Sequence, residues 1–148
     1  MVLPLLFALA CALSVAALLV AERRGQPMAR AIFKLAASSS FVALALTLGA
    51  ADTPYGRWIL AALLLGWIGD ACLLSRASRW FLAGLGSFLL AHVAFTVAFV
   101  VAGVSAVAMA AAVAVAAFAA VWLHRVLWPQ LRPSDRAPVA AYAATILV

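Results

Sequence analysis

WILAALLLGWIGDACLLSRASRWFLAGLGSFLLAHVAF, residues 58–95, decides how the rest of the chain is read. It contains a helix-length apolar run (58–74), a short basic turn with Arg76 and Arg79, and the start of a second apolar run. Neither run alternates with period two, which excludes a β-barrel and makes each a transmembrane helix candidate. Asp70 stands inside the first run. An aspartate at the centre of a membrane helix costs about 2.5–3.5 kcal/mol on the insertion scale, so a carboxylate kept there marks a functional site. The second run carries His92, so an acid and a base sit on consecutive helices.

Composition extends this reading to the whole chain. Its 148 residues are 70% hydrophobic and 9% charged, with a mean hydropathy of +1.22, against about 45–50% apolar and about 25% charged in soluble domains. The chain is therefore read as an integral membrane protein, with one transmembrane helical domain over residues 1–148. A pI near 10.8 raises the question of nucleic acid, but the ten basic residues flank apolar runs and form no basic face, so no nucleic-acid partner is expected. Cys11 and Cys72 lie in apolar runs without CxxC or Cys/His spacing, so they read as packing residues, and neither a disulfide framework nor a metal site is expected.

Apolar runs at 3–21, 31–50, 58–74, 81–102 and 104–123 predict five full spans. A sixth run begins at Pro138, but its eleven residues to Val148 reach only about 16 Å against a hydrocarbon core of about 30 Å. The fold class expected is an all-α polytopic bundle, five spans plus a truncated sixth, and C-terminally incomplete. Lys and Arg number four in residues 22–34, one in 51–57, two in 75–80 and three in 124–137, nine against one on alternate sides. The positive-inside rule then places the first, third and fifth connections in the cytoplasm and the N-terminus outside. The basic residues follow the first run, which argues against a cleaved signal peptide. Residues 104–121 are nearly all Ala and Val and read as a close-packing structural helix. Trp58, Trp80, Trp122 and Trp128 lie near predicted helix ends and read as interfacial anchors, as does Trp67, although it lies inside a run.

Depth relates the polar residues to one another. Asp70 lies about 6 Å from the cytoplasmic end of its helix, Ser87 about 9 Å and His92 about 16 Å from the same side. Ser87 is thus expected level with Asp70, while His92 sits deeper and needs tilt or a water to meet it. On a helical wheel Gly84, Phe88, Ala91 and Phe95 share one face, with His92 close by, and that face suits the bundle interior. The plain alternatives are a neutral His92 bonded to a neighbouring helix and an Asp70 bonded to a nearby polar group or Arg76. Lys34 stands at the start of the second helix with Ser38 one turn on. It either snorkels to the interface or meets an anionic lipid group from the cytoplasmic leaflet. His124, beside Arg125, reads as interfacial and receives no role. No GxSxG, HExxH, P-loop or dinucleotide fingerprint is present. What remains is sparse acid/base equipment in a lipid-embedded bundle, suited to lipids or small solutes.

Lys34, Gly69-Asp70 followed by Leu73-Leu74, then Phe81, Gly84-Leu85, Phe88 and Ala91-His92-Val93 occur here in a fixed order. With RAPVAAY at 136–142, this order resembles the YhhN-like family of multi-pass membrane proteins, which includes the lysoplasmalogenases. The resemblance spans residues 30–142, departing where Leu35 replaces a usual Pro and Phe95 a usual Tyr. It implies a longer helical bundle with a further acidic residue in its C-terminal part, and a bacterial inner-membrane location. It also implies hydrolysis of the vinyl-ether bond of lysoplasmalogens to a fatty aldehyde and a glycerophospho-alcohol. That chemistry begins with protonation of the vinyl β-carbon, which needs an acid held in its protonated form; burial in hydrocarbon favours that form of a carboxyl group.

Asp70 is then the candidate acid and His92 the candidate base that activates water, with Lys34, Ser38, Ser87 and Arg76 as candidate substrate-binding residues. The partners expected are a lysophospholipid substrate and membrane lipid, and no cofactor or metal is expected. The competing reading is a non-enzymatic multi-pass protein, either structural or a transporter relaying protons through Asp70 and His92. Inverted repeats and broken helices, which would favour a transporter, are not evident in the sequence.

Overall fold

The computed structural model describes residues 2–75 and 77–127. The expected sixth helix, RAPVAAY, Trp128 and Arg76 lie outside the described residues. Within them the chain forms α1 (Val2–Arg23), α2 (Pro27–Thr47), α3 (Pro54–Cys72), α4 (Ser78–Val101) and α5 (Ala106–Leu127), with a 3-10 turn at Ala50–Asp52. The all-helical expectation agrees with this, and no strand occurs among the described residues. α1, α2 and α4 are long and apolar enough to cross a membrane by length and composition, as befits an integral membrane protein. α3 has 19 residues and includes Arg57 and Asp70, which dilute its apolar character. Among the described residues three helices meet this criterion, which leaves the expected five full spans and truncated sixth unconfirmed.

Local chemistry explains where the helix ends depart from the apolar runs. α2 begins four residues before its apolar run because Pro27 takes the first helical turn, where a missing N–H costs nothing. The α1–α2 turn closes with Gly25 at φ 63°, the Gln26 N–H donating to Ala21 O at 3.0 Å and the Gly25 N–H to Glu22 O at 3.1 Å. This glycine-centred cap needs the left-handed backbone that glycine adopts freely. α2 ends at Thr47 rather than near Ala50 because Gly49, at φ 77°, turns the chain into the 3-10 segment. α3 begins at Pro54 because Thr53 caps it, its hydroxyl oxygen accepting from the Gly56 N–H at 2.9 Å.

The described helices pack as two hairpins, α1 against α2 and α3 against α4, with α2 also touching α3. α5 makes at most marginal contact with the others among the described residues. The α3–α4 interface is built from small residues: Gly84, Ser87, Ala91, Ala94 and Ala98 form the buried stripe of α4, and Ala62 and Gly69 are buried on α3. No large side chain among the described residues is fully buried. This is the expected solution in lipid, where van der Waals contact between close backbones replaces a hydrophobic driving force. Of the face expected to point inward, Gly84 and Ala91 are buried while Phe88 and Phe95 flank the stripe half-buried. Large apolar side chains such as Leu13, Leu82 and Val100 stay exposed, the surface that suits lipid tails.

Candidate functional site

The ends of α2 and α3 that share the side of the Gly25 turn carry the most concentrated polar chemistry in the described structure. Lys34 and Ser38, four residues apart on α2, fall on one helix face. Asp70, two residues before the end of α3, faces both. The Lys34 Nζ lies 3.1 Å from Asp70 Oδ1, and the Ser38 hydroxyl donates to Asp70 Oδ2. Ser38 Oγ also lies 3.2 Å from Lys34 O. Having one hydrogen, the hydroxyl directs it to the closer, charged acceptor. The Lys34 and Asp70 side chains are 27% and 22% exposed, so the pair is neither sealed in the bundle nor bathed in bulk water. One turn further along, the Trp67 indole N–H donates to Ser39 Oγ at 3.0 Å. Trp67 therefore joins α3 to α2 in addition to its expected interfacial role.

The remaining candidates distribute differently from their depths in the sequence. Ser87, expected level with Asp70, is buried and donates instead to Leu65 O at 2.6 Å. It reaches the α3 backbone because the two helices touch closely: a Cβ on Gly84 would lie 3.2 Å from Gly69 O. His92 turns back on its own helix, Nδ1 lying 2.7 Å from Phe88 O. A carbonyl only accepts, so Nδ1 carries the hydrogen and Nε2 keeps the lone pair. No hydrogen bond joins His92 to Asp70 among the described residues. Lys34 has Asp70 as its partner, where the sequence pointed to snorkelling or a lipid anion. Arg76 lies outside the described residues.

A cleft of about 480 Å³ reaches this cluster. Its walls are Leu18 and Leu19 of α1 and Leu73 and Leu74 at the end of α3, and its polar groups are Glu22, Arg30 and Lys34. Glu22 and Arg30 did not stand out in the sequence as site residues. A signal was present: Glu22 is the one acidic residue in the otherwise basic stretch 22–34. The two pair across the α1–α2 turn, Arg30 Nη1 lying 3.4 Å from Glu22 Oε1. An amphiphile could lie against the leucines with its polar end at the charges, and Lys34, the partner of Asp70, forms part of the wall.

No curated protein and no solved structure was found to match the chain. The YhhN family profile matches residues 29–148, taking in nearly all of α2 and every member of the Lys34–Ser38–Asp70 cluster but leaving out α1. With the match covering most of its length and containing the cluster, the chain belongs to the YhhN family.

Proposed function

We propose that the protein is a membrane-embedded hydrolase that cleaves the vinyl-ether bond of lysoplasmalogens, releasing a fatty aldehyde and a glycerophospho-alcohol. The observation that carries this reading is the Lys34–Asp70 pair, whose lysine lines a leucine-walled cleft. An ammonium hydrogen moving from Nζ to Oδ1 converts the ion pair into a neutral amine and carboxylic acid, a state not penalised by the desolvation that burdens charges in hydrocarbon. Asp70 then delivers that proton to the vinyl β-carbon, and the π electrons form the new C–H bond. The cation left on the α-carbon and ether oxygen is stabilised by the regenerated carboxylate. Water adds to the α-carbon, and its proton passes through an intervening water to His92 Nε2. The resulting hemiacetal breaks its C–O bond, the ether oxygen leaving with a proton as the glycerol hydroxyl and the α-carbon becoming the aldehyde. One water is consumed, and the His92 proton returns through solvent to Lys34. No metal or cofactor is needed in this sequence.

In this reading α3 and α5 cross the bilayer with the other helices, the N-terminus lies outside a bacterial inner membrane, and the cleft opens to the cytoplasmic leaflet. Substrate enters from that leaflet. A second reading draws on the same contacts: Lys34, Ser38 and Asp70, together with Ser39 and Trp67, fasten α2 to α3, and the cluster serves only as a structural clasp. Aldehyde release from a lysoplasmalogen by the purified protein in liposomes tests the two. Release that disappears in Asp70→Asn supports the hydrolase; no release by a well-folded wild-type protein leaves the clasp.

A further inference from the structure

The cleft carries a feature that an apolar lipid groove alone does not need, an acidic and a basic side chain paired at its mouth. Glu22 and Arg30 line both the leucine-walled cleft and a smaller neighbouring cavity of about 200 Å³ formed by Ala21, Gly25, Gln26 and Pro27. Their N–O separation is 3.4 Å and their side chains are 58% and 42% exposed. An exposed pair of this kind contributes little to stability and opens readily to a ligand that offers a better partner to each member. Lys34 is one turn beyond Arg30 on α2, about 6 Å along the axis, and the glycerol unit of a lysophospholipid spans a similar length between phosphate and ether oxygen.

We propose that Glu22 and Arg30 form a headgroup site that selects zwitterionic single-chain phospholipids, Arg30 taking the phosphate and Glu22 the headgroup ammonium. This inference rests on the hydrolase reading for the chemistry at Lys34 and Asp70, but the site itself binds whether or not turnover follows. A guanidinium meets a phosphate oxygen pair with two parallel N–H donors, and the carboxylate beside it supplies the acceptor that an ethanolamine ammonium seeks. A phosphoethanolamine group satisfies both members of the opened pair, whereas a phosphoglycerol group leaves Glu22 facing a neutral alcohol beside an anion. The glycerol unit and the first carbons of the chain lie between Leu18 and Leu19 on one side and Leu73 and Leu74 on the other, and the rest of the chain runs on into the bilayer. The ether junction then falls beside Lys34, the partner of Asp70. Glu22 belongs to α1, outside the residues 29–148 that the family profile matches, so headgroup choice is set by a segment that the family match leaves out.

The test is equilibrium binding to the full chain in detergent, using saturated alkyl-ether lysophospholipids, which have no vinyl group to cleave. The probes carry ethanolamine or glycerol headgroups, with chain-free glycerophosphoethanolamine as a third. The ethanolamine lipid should bind about tenfold more tightly than the glycerol lipid, the scale of one charge-assisted hydrogen bond. Glu22→Gln should remove that preference while keeping affinity for the glycerol lipid, and Arg30→Gln should weaken both lipids. Arg30→Lys should restore part of the affinity. Equal binding of the two lipids by the wild type, or a preference that survives Glu22→Gln, would overturn the proposal. Chain-free headgroup binding as tightly as the lipid would overturn it as well, since the leucine walls would then contribute nothing. Because the probes are inert, loss of the headgroup preference and absence of aldehyde release are separate results, the first refuting this site and the second the hydrolase.

Discussion

Asp70 accepts from two residues of one helix, and the two contacts differ in kind: Lys34 brings a full charge and a transferable proton, Ser38 a single neutral donor. Asp70→Asn keeps the shape and the Ser38 contact but cannot carry a proton to carbon, so aldehyde release should fall by about 10²–10⁴-fold, measured as aldehyde formed per protein in liposomes. Lys34→Met leaves a half-buried carboxylate without its counter-charge and should lower stability by about 1–3 kcal/mol in detergent. The double variant Lys34→Met/Asp70→Leu removes both charges and should recover most of that loss without recovering activity. Thermal unfolding followed alongside turnover separates the two effects: activity returning together with stability would make the pair a clasp and nothing more. Both residues were legible in the sequence as being on one membrane side. Their partnership was not, because hydropathy gives the depth of a residue and leaves open which way its helix face points. Ser87 illustrates the same limit: its depth was read, but its acceptor is a backbone carbonyl of α3, exposed by close helix approach.

At the scale of helices, α3 and α4 meet through glycine and alanine, and Gly69 is the tightest point. A Cβ there would stand 2.8 Å from the Phe88 ring, so Gly69→Ala should push the helices apart and cost about 1–3 kcal/mol, as overpacking does. Adding Phe88→Leu should recover part of the loss in the same thermal unfolding measurement. A Gly69→Ala variant as stable as the wild type would show that the ring moves aside freely. His92 belongs to this scale too, since its ring is held by a bond within its own helix. His92→Gln should therefore leave unfolding nearly unchanged while slowing turnover by about 10²-fold or more, read as kcat in liposomes. The helices were legible as apolar runs, but their ends were displaced by Pro27, Thr53 and Gly49, whose turn and capping chemistry hydropathy windows do not weigh. The Glu22–Arg30 pair escaped notice because its members lie eight residues apart and meet only across the α1–α2 turn.

At the scale of the molecule, the turn at Gly25, the mouth of the cleft and the α3–α4 connection share one side. The orientation proposed above from the Lys and Arg distribution expects that side in the cytoplasm. In a protein with Cys11 and Cys72 replaced by Ala, a cysteine at Gln26 should react with a membrane-impermeant maleimide only after the membrane is opened, and one at Asp52 from outside. The reverse pattern would invert the orientation. α1–α2 and α3–α4 each pack over most of their length with one polar link apiece, Glu22–Arg30 and Ser87 to Leu65 O, whereas α2 meets α3 through a concentrated polar set, Lys34, Ser38 and Asp70 with Ser39 and Trp67. In a bilayer these two kinds of contact form at different moments. Apolar hairpins can enter the membrane independently, each complete in its own backbone hydrogen bonding. Docking of one hairpin on the other then waits for an ammonium, a hydroxyl and an indole to find their acceptors within lipid. A chain lacking the polar seam is therefore expected to insert its hairpins yet fail to dock them, a loss that repacking of the apolar faces alone would not restore.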